Sequence, residues 1–209
     1  VGQLNKLYDF AKKNNLRVIE DAAHAFGSYY KQKKVGSFGD IACFSFDGIK
    51  NITSGEGGCV VTNNKLVLSR VKNARLLGVE NDTKKRFSNK RSWEFDVKKQ
   101  GWRYHMSDVM AAIGRVQLQR REELALKRQS LAKLYHKNLS KNSKIKLILQ
   151  DFENVVPHIF PIRILNLKNR KLLRKNLLNN NIETGIHYFP NHNLTLYSSK
   201  NNKSLFETE

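Results

Sequence analysis

Short apolar segments alternate with amphipathic helical segments in the first part of the chain, and this alternation constrains the fold more than any other feature. Residues 2–15 carry apolar side chains at helical spacing, and the apolar run LRVIED (16–21) follows directly. The runs IACFSF (41–46) and GCVVT (58–62) lack polar alternation, which is typical of strands buried on both faces. A second helical pattern covers residues 66–78. Helices interleaved with apolar strands predict the α/β class.

A long helical pattern in the middle of the chain predicts a bridge between two domains. Residues 79–100, which precede it, are polar and irregular, as expected of a surface loop. Ser107 and Asp108 offer side chains that cap a helix N-terminus, and the segment then keeps one apolar side as far as HKNL. We therefore predict one domain over residues 1–120 and a second over residues 121–209.

The sequence after the long helix predicts a small second α/β unit. Successive runs have the character of strand, strand, helix and strand: IKLIL (145–149), VPHIFPIRI (156–164), RKLLRKNLLNNN (170–181) and IETGIHYF (182–189). This unit is shorter than an α/β domain usually is, and the first residue of the chain is Val1 rather than Met. We expect the sequence to be a piece of a longer protein.

The strongly basic composition raises the hypothesis of a polyanionic partner. The 38 Lys and Arg residues exceed the 18 Asp and Glu residues, and the formal net charge is +20. The basic residues stand singly or in short groups, without an arginine-rich tract or interleaved stacking aromatics, so we interpret them as a solvated surface and expect no nucleic-acid partner. Cys43 and Cys59 lie in apolar runs and indicate a reducing compartment. Without a signal peptide or a long apolar run, we expect a cytoplasmic protein and no membrane partner.

A glycine-rich turn, FSFDGIKNITSGEGGCVV (44–61), places one lysine between two apolar segments. Its glycines allow close approach of the backbone to a ligand, and the turn matches neither the Walker phosphate loop nor the dinucleotide-binding pattern. One predicted strand ends at Asp21 and another at Ser45, and α/β sheets bind ligands where strands end. Lys50 follows five positions after Ser45. An amine, a carboxylate and a phosphate anchor are what a lysine-bound aldehyde cofactor requires.

Two segments carry a resemblance to a known family. EDAAHAFGSYYKQKKVGSFGDIACFSFDGIKNITSGEGGCVVTNN closely resembles the central block of the DegT/DnrJ sugar-nucleotide aminotransferases, and GWRYHMSDVMAAIGRVQL is similar to a second element of that family. The resemblance implies fold type I of the pyridoxal-phosphate enzymes, with a mostly parallel sheet in a large domain and part of a small C-terminal α/β domain. It also implies transamination of a nucleotide-linked keto-sugar with glutamate as donor, 2-oxoglutarate as product, and a homodimer with shared active sites.

The same resemblance assigns roles to individual residues, and it implies no metal ligand. Lys50 matches the lysine that binds pyridoxal 5'-phosphate covalently, Asp21 the carboxylate that pairs with the pyridine nitrogen, and Ser45 a hydroxyl on the cofactor phosphate. His24 stands where the family usually has a glutamine on the ring hydroxyl. Arg103 stands where many members have an asparagine that reaches the phosphate in the neighbouring subunit. Both departures leave the roles of those two residues open.

Further implications concern the substrate and the missing parts. His187 and Tyr188 match a segment that lines the sugar-nucleotide pocket, although a strand end with an amphipathic aromatic is an equal reading. Family members are roughly twice as long, given two domains of ordinary size, so we expect the isolated chain to bind the cofactor poorly. Lys50 argues against the dehydrating branch, in which histidine replaces the lysine. A non-catalytic regulatory relative and, less favoured, a nucleic-acid-binding protein stay open.

Overall fold

A computed structural model describes residues 2–80, 85, 88–89, 93–148 and 151–197. The chain divides into two compact units, Val1–Arg163 and Ile164–Glu209, and the boundary lies inside the last strand. The predicted division after residue 120 concerns the domains of the whole fold and stays a prediction. No helix among the described residues is long and apolar enough to cross a bilayer.

The first unit contains most of the regular structure. Its elements, in chain order, are α1 (Leu4–Lys13), β1 (Ile19–Asp21), β2 (Tyr29–Tyr30), β3 (Lys33–Lys34), β4 (Ile41–Ser45), β5 (Gly58–Val61), α2 (Lys65–Ala74), α3 (Asp108–Gln119), α4 (Arg121–Leu139), β6 (Ile145–Leu147) and β7 (Ile162–Ile164). Four of the predicted strand runs therefore form β1, β4, β5 and β6. The run predicted over 156–164 forms a strand only in its last three residues.

The central sheet has the order β1-β4-β5 and is mixed. Strands β1 and β4 are parallel, with Asp21 opposite Cys43, and β4 and β5 are antiparallel, with Ser45 opposite Gly58. A side chain at Gly58 would collide with the carbonyl oxygen of Phe44, which explains the glycine at the start of β5. Because β1 and β4 run in the same direction, their carboxyl ends, at Asp21 and Ser45, lie at the same end of the sheet, which we call the sheet edge.

The prediction of strands buried on both faces is wrong for β5, in which Val61 is 42% exposed. Ile19 of β1 is 67% exposed. β1 and β5 are the two outer strands of the three-stranded sheet, and within the described residues each pairs on one side only. Ala42, in the central strand, is buried.

Side-chain caps fix the starts of two helices. Asn64 accepts hydrogen bonds from the N–H groups of Leu66 and Val67 at the start of α2. Ser107 accepts from Met110 N at 3.3 Å, so the predicted cap of the long helical segment is confirmed.

The long helix predicted through residue 139 is two helices. Arg120 interrupts it with φ −85° and ψ 3°, outside the helical range, and α4 begins at the next residue. The polar run QRREE interrupts the apolar side at this point. Arg120 and Lys127 both pair with Glu123 on the exposed surface, and those contacts lower the pKa of Glu123 to about 2.

The second unit consists mainly of α5 (Arg170–Asn179) and a 3-10 turn at Asn191–Asn193. Asn169 caps α5 by accepting from Leu172 N at 2.9 Å. The strand predicted over residues 182–189 is wrong, because this segment has no partner strand among the described residues. The Arg174 guanidinium instead donates to the hydroxyl and the carbonyl of Thr184.

The surface loop predicted over residues 79–100 is only partly described. Positions 81–84, 86–87 and 90–92 lie outside the described residues. Residues 93–100 are exposed and contain neither helix nor strand, which agrees with the prediction for that part.

Buried polar side chains join the loop after β1 to a distant segment in the first unit. Ser28 is 2% exposed, and its hydroxyl accepts from Val156 N at 2.9 Å. The buried Asn51 amide donates to the carbonyl oxygens of Phe26 (3.0 Å) and Val156 (3.2 Å). These bonds satisfy buried or partly buried main-chain groups, so we expect them to stabilise the unit.

We predict that Ser28→Ala lowers the free energy of unfolding by about 1–3 kcal/mol, because the buried Val156 N–H loses its acceptor. Urea denaturation followed by circular dichroism measures this. Ser37→Ala is the matched control, since the Ser37 hydroxyl donates to the Lys34 carbonyl on the exposed surface, and its effect should stay within about 0.5 kcal/mol. Equal losses in the two variants would contradict the prediction.

Candidate active site

The turn between β4 and β5 folds back over the edge of the sheet. Phe46 N donates to Gly57 O and Ser54 N donates to Phe46 O, both at 2.8 Å, so the two ends of the turn are tied together. Within it, Lys50 N donates to Asp47 O at 3.0 Å. Ser54 is fully buried and its hydroxyl donates to the carbonyl of Glu56. The backbone around the lysine is therefore held at several points.

The Lys50 side chain meets an imidazole beside the sheet edge. Its Nζ lies 2.9 Å from His24 Nε2, within hydrogen-bonding distance. One of the two nitrogens must lack a proton for this bond to form. The His24 ring also packs on the ring of His158, with centroids 4.0 Å apart and planes at 32°. His24 thus lies between the lysine amine and a second histidine.

Asp21 ends β1 and is exposed at the same edge. Its Oδ1 accepts from Ala23 N at 3.1 Å, which orients the carboxylate. Asp21 and His24 line one cavity of 410 Å³, together with apolar side chains that include Val18 and Ala25. The structure therefore brings the predicted carboxylate and the predicted imidazole to a common space.

The neighbouring carboxylate has a different role. The Tyr8 hydroxyl of α1 donates to Glu20 Oε1. Burial and, after it, this hydrogen bond to Glu20 raise the pKa of Tyr8 well above its usual range. Glu20 is therefore engaged in attaching α1 to β1, whereas Asp21 accepts only from a main-chain N–H among the described residues.

Ser45 ends β4 and is half-buried. Its Oγ accepts from Asp47 N at 3.4 Å, a long hydrogen bond that leaves the hydroxyl proton available to another acceptor. Ser45 and Asp21 terminate parallel neighbours, so the hydroxyl and the carboxylate belong to the same edge of the sheet.

The other predicted residues lie elsewhere in the chain. Arg103 is exposed and forms an isolated backbone bridge with Leu76, while the flanking rings of Trp102 and Tyr104 stack at 6.1 Å. Among the described residues, no hydrogen bond or ion pair joins Arg103 to the Lys50 turn. His187 and Tyr188 belong to the second unit, where both are exposed and their rings pack edge to face at 4.8 Å.

Sequence reasoning missed two residues that the structure brings to the lysine. Arg128 of α4 donates to the carbonyl of Lys50, and His158 packs on His24. The available signal for Arg128 is its position one turn before Ala132, which is 3% exposed, so a basic residue occupies the inward face of the helix. His158 stands in an apolar run that gives no comparable signal.

Comparisons with known proteins cover the whole chain. The sequence model of the DegT/DnrJ/EryC1/StrS aminotransferase family matches residues 1–209. The chain is 37% identical to the GDP-perosamine synthase of Escherichia coli O157:H7, over 96% of this chain and 52% of that protein. It is 35% identical to the UDP-4-amino-4,6-dideoxy-N-acetyl-beta-L-altrosamine transaminase of Campylobacter jejuni, over 93% of this chain and 50% of that protein.

Solved structures give the same result for the fold. The Helicobacter pylori aminotransferase PseC, involved in pseudoaminic acid biosynthesis, matches all of this chain and 55% of its own, with a TM-score of 0.87 and 29% identity. The sugar aminotransferase Spr1654 from Streptococcus pneumoniae, solved in a PLP form, matches 94% of this chain and 54% of its own, with a TM-score of 0.77 and 26% identity.

The chain thus spans about half the length of the relatives it matches. The predicted α/β class and fold type I are confirmed by these structural matches, over the half that the chain covers. The chain belongs to the DegT/DnrJ/EryC1/StrS aminotransferase family.

Proposed function

We propose that this chain carries the cofactor-binding lysine and part of the active site of a pyridoxal-phosphate-dependent transaminase that acts on a nucleotide-linked keto-sugar. The observation that carries the proposal is the Lys50 amine in hydrogen-bond contact with His24 at the sheet edge where Asp21 and Ser45 end their strands. Family membership and the names of the relatives support the same reaction class.

The donor set fits pyridoxal 5'-phosphate. Lys50 offers a primary amine for the aldehyde, Asp21 a carboxylate for the ring nitrogen, and Ser45 a hydroxyl for the phosphate. His24 offers an imidazole for the ring hydroxyl, in place of the glutamine usual in the family. When bound, the cofactor supplies an electron sink that stabilises negative charge on the carbon bearing the amino group.

Lys50 has two tasks in this proposal. It would hold the cofactor between turnovers, and its released amine would take a proton from the substrate carbon and deliver it to the cofactor carbon that bore the aldehyde. A proton on Nζ has an adjacent acceptor in His24 Nε2, 2.9 Å away. Main-chain hydrogen bonds hold the backbone of the turn in place. The Lys50 amine therefore stays at the sheet edge when it is released from the cofactor.

Asp21 stabilises positive charge on the ring nitrogen. Its Oδ1 is oriented by Ala23 N–H, and its second oxygen accepts no hydrogen bond from the described residues. A negative charge held in place costs little reorganisation during the reaction, and electrostatic stabilisation of this kind contributes strongly to catalysis.

The substrates and the assembly form the finer part of the proposal. Glutamate donates the amino group and leaves as 2-oxoglutarate, and the keto-sugar then accepts the amino group. His187 and Tyr188 contact the sugar nucleotide, whose diphosphate suits a basic protein of net charge +20. Two copies form a homodimer with shared active sites, in which Arg103 reaches the cofactor phosphate of the partner copy.

We predict that Lys50→Ala in the complete gene product that contains this sequence lowers the rate of the glutamate half-reaction by about 10²–10⁴-fold or more, because the proton-transferring amine is lost. Stopped-flow absorbance of the cofactor band measures this rate. Lys137→Ala removes an exposed lysine of α4 and is the control, with no expected change. Retention of the wild-type rate in the Lys50 variant would refute the assignment.

We also predict that Asp21→Asn slows the same half-reaction by about 10²–10³-fold, because the ring nitrogen loses a charged partner. Covalent attachment of the cofactor to Lys50 should survive in this variant. Glu20→Gln is the matched control, since Glu20 bonds to Tyr8, and it should alter the melting temperature more than the rate. A larger rate loss in the Glu20 variant than in the Asp21 variant would overturn the distinction between the two carboxylates.

A further inference from the structure

Arg128 lies in the middle of α4, and its guanidinium contacts main-chain carbonyls of two segments that are distant in sequence. Its Nη2 donates to Lys50 O at 3.2 Å, across 78 positions. Its Nη1 donates to His158 O at 3.3 Å and approaches Pro157 O at 3.5 Å. The side chain is half-buried, and burial lowers the pKa of the guanidinium. A buried charge of this kind needs the carbonyl dipoles that surround it.

These contacts close a ring around the lysine. The Lys50 amine contacts the His24 imidazole, the His24 ring packs on His158, and the main chain of His158 returns to Arg128. Arg128 then contacts the main chain of Lys50. One guanidinium therefore fixes the backbones of both Lys50 and His158, whose side chains meet at His24.

The residue after the lysine reinforces the ring. Asn51 is buried, and its amide donates to the carbonyls of Phe26 and Val156, next to the segments that carry His24 and His158.

The planar guanidinium of Arg128 presents its donors in a fixed fork, so it sets the separation of the carbonyls it joins. A lysine ammonium, which has one nitrogen on a flexible stem, does not reproduce that geometry.

We propose that Arg128 is a positioning residue, which holds the Lys50 amine against His24 through the two backbones it joins. This inference rests on the proposed function, in which the Lys50 amine reacts with an aldehyde cofactor. Without Arg128, the Lys50 and His158 carbonyls lose their donor and the His24 ring loses its fixed support. The amine is then less well oriented for attack on the aldehyde, and orientation contributes strongly to the rates of such reactions.

The test measures covalent trapping of pyridoxal 5'-phosphate on individual lysines of the complete gene product. The protein is incubated with the cofactor, sodium borohydride fixes the attached groups by adding hydride, and mass spectrometry reads the labelling rate at Lys50 relative to the exposed Lys137. This ratio cancels general changes in reactivity and needs no turnover. Arg128→Met and Arg128→Lys are compared with wild type.

The matched control is Arg121→Met. Arg121 also lies on α4 and also donates to a main-chain carbonyl, that of Leu118, but none of its hydrogen bonds within the described residues reaches the Lys50 turn. We expect the Lys50 to Lys137 ratio to fall at least about tenfold in Arg128→Met and about threefold or more in Arg128→Lys, by loss of orientation. The Arg121 variant should keep the wild-type ratio.

Circular dichroism melts accompany each variant. A folded Arg128→Lys protein with the wild-type ratio would overturn the positioning role while leaving the proposed function intact. Unfolding of both Arg128 variants would also overturn it, because the residue would then serve stability alone. Wild-type protein that is not labelled at Lys50 would instead remove the proposed function itself, so the two failures are distinguishable.

Discussion

Parallel pairing of β1 with β4 is the constraint on which the candidate site depends. It aligns Asp21 with Cys43 and so leaves Asp21 and Ser45 at the same edge of the sheet. The antiparallel return of β5 then requires a turn at that edge, and Lys50 lies in this turn. A change of register by one residue would turn the side chains of β1 to the opposite face relative to those of β4.

Adjacent carboxylates at the end of β1 show how local packing assigns different roles to similar groups. Glu20 and Asp21 line the same cavity, but Glu20 accepts the hydrogen bond of Tyr8 and attaches α1 to the sheet, whereas Asp21 accepts only a main-chain N–H among the described residues. The sequence ED contains both groups without distinguishing them. The distinction arises because Tyr8 of α1 donates a hydrogen bond to Glu20.

The sequence predicted the parts of the structure that depend on local chemistry. Apolar runs identified β1, β4 and β5, and the cap at Ser107 followed from a short side-chain acceptor before an apolar helix. The predictions that failed depend on distant partners. Residues 182–189 have strand-like composition but no partner strand among the described residues. The helix break at Arg120 instead coincides with a local polar run, QRREE, after which the helical pattern resumes.

Prediction of the candidate site was also limited by contacts between residues that are distant in sequence. Family resemblance named Lys50, Asp21, Ser45 and His24, and all four lie at or beside one sheet edge. Arg128 was missed because the two carbonyls it contacts belong to residues 78 and 30 positions away. Its position one turn before Ala132 indicates an inward-facing basic residue, but a guanidinium that bonds to carbonyls leaves no pattern that identifies its partners, since every residue has a carbonyl.

The most direct test of the proposed chemistry is a crystal structure of the complete gene product grown with pyridoxal 5'-phosphate. We expect continuous density from Lys50 Nζ to the cofactor, with an Asp21 oxygen about 2.7–3.2 Å from the ring nitrogen. Cofactor density attached to another lysine, or a ring nitrogen far from Asp21, would contradict the assignment of this sheet edge as the active site.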